Sequence, residues 1–232
     1  VRHHLTVLMR YAISSGIFVS VIGAVVLLGW LFDIATLKSG ASGWPKVAPL
    51  TATCFLLSGF SLWCVAGGQG NSGRLRASQV CAVIVALVGL FRLGDYMFGW
   101  NLNFDTLGFR EASNATNFLP AQMSPMTAAN FLLVGGALLV AGSSKFIKIF
   151  QSLVFSAAMI GCVGFLRFLY ADQPLWLFAQ MAVHTAFLFV VLSVGIFCVR
   201  TDGGLMRLLM SDSAGGTLAR RLLLPTLLIT VS

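Results

Sequence analysis

The sequence predicts an all-α fold: a polytopic membrane helix bundle of six complete spans plus a truncated seventh, built from repeated helical hairpins. Two observations carry that prediction. First, of 232 residues 58% are hydrophobic and only 9% charged, against about 25% charged in a soluble domain. So few charges cannot cover a water-exposed surface. Second, the chain repeats itself. Pro49-Leu-Thr51-Ala52-Thr-Cys-Phe55-Leu-Leu-Ser-Gly59 returns as Pro125-Met-Thr127-Ala128-Ala-Asn-Phe131-Leu-Leu-Val-Gly135, and more weakly as Val183-His-Thr185-Ala186-Phe-Leu-Phe189-Val-Val-Leu-Ser193. In each copy an aromatic residue follows the threonine by four positions and a small residue follows it by eight. That spacing puts the three on one helical face.

A span needs about 20 mostly apolar residues. The runs that qualify are Val7–Phe32, Ala48–Gly68, Ala77–Gly99, Pro125–Gly142, Phe146–Tyr170 and Leu175–Val199. The first is too long for the apolar core of a cleavable signal and has no small-residue cleavage pattern after it, so it is expected to stay as a helix. A seventh run begins near Leu218 and is still apolar at Ser232. At 1.5 Å per residue it reaches about 22 Å, short of the roughly 30 Å hydrocarbon core. The last helix is therefore expected to be cut and the sequence to be part of a longer protein.

Lys and Arg fix the expected orientation, because cytoplasmic turns carry the excess of both. One set of turns holds Arg2, Arg10, Arg74, Arg76, Lys145, Lys148, Arg200, Arg207, Arg220 and Arg221, while the opposite set holds Lys38, Lys46 and Arg110. The N-terminus is thus expected in the cytoplasm and the 99–124 loop outside. The net charge of +8 follows from these turns. The basic residues never line one polar face, so no nucleic acid partner is expected.

Each Thr-Ala motif then opens an inward-running helix at the outer surface. Ser124 and Pro125 have the residue types of an N-cap and a first helical position, and Pro49 repeats the second role without a good cap before it. The helix before each motif ends in an aromatic-x-aromatic group, Trp30/Phe32, Tyr96/Phe98 and Phe168/Tyr170, where an aromatic belt alone would also place rings. The unit is an out-then-in hairpin. It occupies about residues 7–68, 77–142 and 146–199, with a partial fourth from 218, all in one integral membrane domain over 1–232. Copies in one orientation are related by an axis along the membrane normal. Gly16, Ser20 and Gly23, and Gly161 with Gly164, form small-residue stripes for close helix packing.

Candidate chemistry is sparse. Cys54, Cys64, Cys81, Cys162 and Cys198 all fall in apolar runs without a CxxC pair, which indicates neither a disulfide frame nor a zinc site. Arg92, Asp95 and Arg167 lie within or near hydrocarbon depth. Such charges either face a functional interior or form a structural Arg92–Asp95 pair with Arg167 reaching outward. His184 falls in the first turn of its helix. It has no second membrane histidine for a bis-His haem, and no metal site is expected. Lys38, Lys46, Lys145 and Lys148 all sit at helix ends, so none can carry a retinal Schiff base. No cofactor is expected. Helix N-termini carry partial positive charge. If the repeats pack around an axis, those of the three inward helices converge, with Thr51, Thr127, Thr185 and Asn130, near Arg92, Arg167 and His184. The expected result is an outward-facing pocket for an anionic or polar small ligand; otherwise the threonines only satisfy backbone groups. Asn114-Ala-Thr116 matches a glycosylation pattern that occurs often by chance.

The turn Thr201-Asp-Gly-Gly-Leu-Met-Arg-Leu-Leu-Met-Ser211-Asp212-Ser213-Ala214-Gly215-Gly216-Thr-Leu-Ala-Arg220-Arg221, the segment Leu28-Gly-Trp30-Leu-Phe32-Asp33-Ile-Ala-Thr-Leu-Lys38-Ser39 and the Thr-Ala repeats belong together. Jointly they resemble the multi-helix membrane regions at the N-termini of bacterial hybrid histidine kinases and diguanylate cyclases, over a stretch from about Gly23 to the last residue. The resemblance implies eight helices followed by PAS, kinase or cyclase modules in the cytoplasm. No kinase or cyclase motif occurs in these residues, so any such activity would lie in sequence that follows or in a partner.

The leading expectation is a membrane sensory or input domain in a bacterial inner membrane, without catalysis of its own. The rivals are an accessory or structural subunit of a larger membrane complex and, third, a transporter. Expected partners are the lipid bilayer, cytoplasmic signalling modules or a larger complex, and a second copy of the chain in a homo-oligomer.

Overall fold

A computed structural model of the chain describes residues 2–39, 46–67, 71–100, 122–169, 181 and 183–200. These form helices α1 (Arg2–Leu31), α2 (Ala35–Ser39), α3 (Pro49–Gly67), α4 (Ser72–Phe98), α5 (Pro125–Val140), α6 (Ile147–Leu169) and α7 (Val183–Val199), with a 3₁₀ turn at Ser144–Phe146. No strand occurs among the described residues. The all-α class is as the composition required.

Among the described residues, four helices are long and apolar enough to cross a membrane: Thr6–Leu31, Pro49–Gly67, Ser72–Phe98 and Ile147–Leu166. Of the six apolar runs, the other two yield α5 with 16 residues and α7 with 17, apolar but shorter. The run from Leu218, and with it the partial fourth hairpin, lies outside the described residues. Three helix starts differ by five residues or more from those of the apolar runs: α1 begins at Arg2, ahead of Val7, and α7 and α4 differ as well. Helix α7 begins at Val183, in the third copy of the motif, and not at Leu175; Met181 is outside it. Apolarity marks what lipid tolerates, not where the backbone turns helical. Helix α4 starts at Ser72 and not Ala77, because the Asn71 side chain accepts from the Gly73 and Arg74 N–H groups at 3.0 and 3.3 Å. That cap carries the polar first turn into the helix.

The packing follows the repeat. The tightest neighbours are α1 with α3, α4 with α5, and α6 with α7. Contacts of α3 with α4, α5 with α6 and α1 with α7 close the three hairpins into a ring, and α3, α5 and α7 touch one another inside it. Within each hairpin a glycine of the outer helix meets the motif alanine of the inner one. A Cβ added to Gly23 would lie 2.7 Å from the Ala52 carbonyl oxygen, to Gly89 2.6 Å from that of Ala128, and to Gly161 3.3 Å from that of Ala186. Each glycine stands seven residues before an aligned aromatic, Trp30, Tyr96 or Phe168. The reverse contact recurs too: a Cβ on Gly59 would meet the Ser20 nitrogen at 2.7 Å, and one on Gly135 the Ala86 nitrogen at 2.7 Å. Backbones this close leave no room for a side chain, which is how helices gain contact where lipid supplies no hydrophobic drive.

Along the central axis the repeat becomes a stack of layers. Phe55, Phe131 and Phe189 meet with ring centroids 4.7–4.9 Å apart in tilted and edge-to-face pairs, the geometry that aromatic quadrupoles favour. Seven residues further, Leu62, Leu138 and Ile196 are at most 1% exposed. Between them come Ser58, Val134 and Leu192, also buried. Steps of four, three and four residues are the seam spacing of a coiled coil. The outer helices are the opposite. On α4, Val80, Ile84, Leu87, Leu90 and Phe91 are exposed, and on α6 Phe155 and Met159. These make an apolar outer face suited to lipid.

Candidate functional site: a recess where three helices begin

The first turns of α3, α5 and α7 meet at one end of the bundle around a shared recess, lined by Lys46, Val47, Ala48, Thr51, Gln122, Met123, Ser124, Thr127 and Thr185. Its empty volume is about 220 Å³ including space open to solvent, of which about 10 Å³ admits the centre of a water molecule. That is room for about one water-sized particle. Four residues along from each threonine, one helical turn further into the bundle, stands a phenylalanine of the triad.

Each wall has a local cause. At α5, Ser124 is extended and caps the helix: its Oγ accepts from the Thr127 N–H at 3.2 Å and lies 2.8 Å from Thr127 Oγ1. Pro125 follows at the first helical position. At α3 the equivalent of Ser124 is Ala48, whose side chain has no oxygen to offer. Thr51 and Thr185 are each 3% exposed, line the recess, and their hydroxyls bond to no other described residue.

Two latches hold the walls, and the sequence pattern did not reveal them. The Trp30 indole N–H donates to the Val47 carbonyl at 2.9 Å, and the Tyr96 hydroxyl donates to the Met123 carbonyl at 2.7 Å. Val47 and Met123 each stand two residues before the motif proline, so these bonds are repeat equivalents. A cation covers each ring, Lys38 at 4.5 Å from the Trp30 centroid and Arg92 at 5.1 Å from that of Tyr96. Each cation is in turn paired with a carboxylate, Lys38 with Asp33 and Arg92 with Asp95. The Asp33 carboxyl is held below its ordinary range, first by the Lys38 hydrogen bond and then by that ammonium's charge. The signal for the latches lies in the alignment of Trp30 and Tyr96 as first members of the aromatic-x-aromatic pair. Both are donors, Trp30 from a buried ring and Tyr96 from one 41% exposed, while Phe32 and Phe98, the second members, are about two-thirds exposed.

The candidate residues therefore divide. Thr51, Thr127 and Thr185 come together around one recess. Arg92 and Asp95 form their buried pair, 4% exposed at Arg92, but neither lines the recess; Arg92 supports it through Tyr96. His184 sits half-buried in the first turn of α7 and is not a lining residue. Asn130 is fully buried on α5, one turn beyond Thr127 and outside the lining, with no hydrogen bond to either amide atom among the described residues. Arg167 belongs to α6, but its side chain lies outside what the structure describes, as do Asn114 and the turn from Thr201. Lys46 and Gln122, each three residues before a motif proline, join the site from outside the quoted motif, as does Ser124, the cap of α5. The five cysteines are free thiols, and the described residues hold no group of three or more metal-ligating side chains.

No protein-family model, no curated protein and no solved structure matches the chain.

Proposed function

We propose that the chain is the membrane input region of a bacterial signal-transduction protein, and that the recess receives a small polar or anionic ligand from outside the cell. One observation carries this reading: three repeat-equivalent threonines, on three helix N-termini, line a single polar recess. Lipid anchoring does not require that convergence. In this reading six helices cross the bilayer, with α5 and α7 as the short inner ones. The orientation rests on charge. Arg74, Lys145, Lys148 and Arg200 stand at the bundle end opposite the recess, where α3, α5 and α7 finish. The bias of Lys and Arg toward the cytoplasm puts that end inside and the recess outside.

The transporter reading has less support. A route along the axis meets the phenylalanine triad and then a buried aliphatic layer. Helices α3, α5 and α7 beside it run without a break, whereas transport sites are typically built on broken helices. In the sensor reading, sequence beyond Ser232 supplies the output, and the inner helices carry the signal from the recess to the cytoplasmic end.

The test is the full-length gene product in membranes. Kinase or cyclase modules after Ser232, with output that responds to ligands added outside and no longer responds in Thr51→Val/Thr185→Val, support the sensor. A stop codon at that point, with stable co-purification in a membrane complex, replaces it with the accessory-subunit reading. A reporter fused after Val199 is expected to be active only as a cytoplasmic protein.

A further inference from the structure

We infer that the recess is a binding site for a small inorganic monoanion of halide size, held by the hydroxyls of Thr51, Thr185 and Thr127. The inference rests on the recess being the ligand site of the sensory reading and names the class of ligand.

The chemistry of the lining selects the sign. Three helix N-termini present positive partial charge, Lys46 adds a cation at the rim, and Gln122 has an amide on the wall. No carboxylate lines the recess among the described residues. A cation would find hydroxyl oxygens but no negative charge. Two of the three hydroxyls call for a partner. Thr51 and Thr185 are 97% buried and have no acceptor or donor among the described residues, and the recess is the space they line. Each hydroxyl has an O–H to donate into the recess, and an anion accepts from both. On α3, Ala48 leaves the first turn without a side-chain cap, so its N–H groups add to the same donor set.

Size selects the class. Room for about one water-sized particle admits a halide with modest adjustment, whereas a tetrahedral oxyanion would have to displace the latched walls. Trp30 and Tyr96 tie those walls at Val47 and Met123, which resists widening.

The experiment uses the full chain reconstituted in halide-free nanodiscs at constant ionic strength, with gluconate replaced stepwise by chloride or bromide. The expected result is saturable thermal stabilisation by both halides, and bromide anomalous scattering between Thr51 and Thr185 in crystals of the protein. Thr51→Val and Thr185→Val should each raise the apparent Kd by roughly tenfold, the effect of one lost hydrogen bond to a charged group. Thr185→Ser, which keeps the hydroxyl, should bind as the parent does. Absence of saturable stabilisation in the parent protein overturns the proposal, as does bromide located elsewhere or an unchanged Kd in the valine variants. If a valine variant fails to fold, the parent titration and the bromide position decide alone. Halide binding with no change in the output of a following module keeps the anion site and removes the sensory reading. Output that responds to another ligand, without halide binding, does the reverse.

Discussion

The three inner helices and the three outer ones are all apolar but are built for different surroundings. In α3, 61% of the best span window is buried, against 28% in α4 and 22% in α6. The inner helices keep small or rigid side chains at fixed steps: a threonine at the mouth, a phenylalanine one turn in, an aliphatic residue two turns beyond that. The outer helices match at one contact glycine each, and α1 and α4 also at their latch aromatics, and vary elsewhere, since lipid accepts any apolar side chain. Position matters where protein meets protein; composition suffices where protein meets lipid.

Substitutions along this contrast should differ by kind. The largest expected loss is Phe131→Ala, which leaves Phe55 and Phe189 without their partner. It should cost about 3 kcal/mol, the low end for a buried phenylalanine, because lipid tails supply part of the transfer term. Unfolding of the purified protein in mixed micelles measures it; a loss like that at a lipid-facing site would mean that the triad is not a packed core. Next comes Gly135→Ala, whose new methyl meets Ala86 backbone at 2.7 Å. It should cost about 1–3 kcal/mol, and Gly161→Ala, with its nearest atom at 3.2 Å, clearly less in the same assay. Tyr96→Phe removes one latch and should cost about 1 kcal/mol, with weakened ligand response at the recess as a second readout. Asn130→Leu should stabilise by about 1 kcal/mol, since it replaces an unbonded buried amide by an apolar group of similar size. A loss there would reveal a polar partner for Asn130. Leu90→Ala on the exposed face of α4 should stay within about 0.5 kcal/mol.

The smallest effect concerns pH. Asp33 has its pKa depressed by Lys38, so its contribution is present above the ordinary carboxylate range, about pH 4. It is lost as pH falls through the lower value that Asp33 has in the folded protein. Asp33→Asn should flatten that acid limb of the stability curve. An unchanged limb would mean that the Lys38 contact does not persist in solution.

Much of this is legible in the sequence. The Thr-x₃-Phe-x₃-Gly/Ser spacing identifies the inner helices, Ser124-Pro125 marks a cap that forms, and Arg92–Asp95 at three residues' separation is the pair observed. The aromatic-x-aromatic ends are visible but read as belt residues, because a lone Trp or Tyr near a helix end does not reveal which carbonyl it will reach. Arg92 and His184 are expected at the recess on depth alone. Depth fixes height along a helix, not azimuth, and azimuth turns Arg92 onto Tyr96 and leaves His184 outside the lining.

Composition and period, being properties of single helices, determined from the sequence alone that the chain is helical, rich in membrane-length apolar segments and assembled from hairpins of one kind. The threonines at 51, 127 and 185 are equivalent by their spacing, but equivalence along a chain says nothing about distance. Only the tertiary structure decided that they share one recess. That closure depends on glycine contacts between helices and on three phenylalanines meeting at the axis, and packing of that kind exists only once all three hairpins are in place.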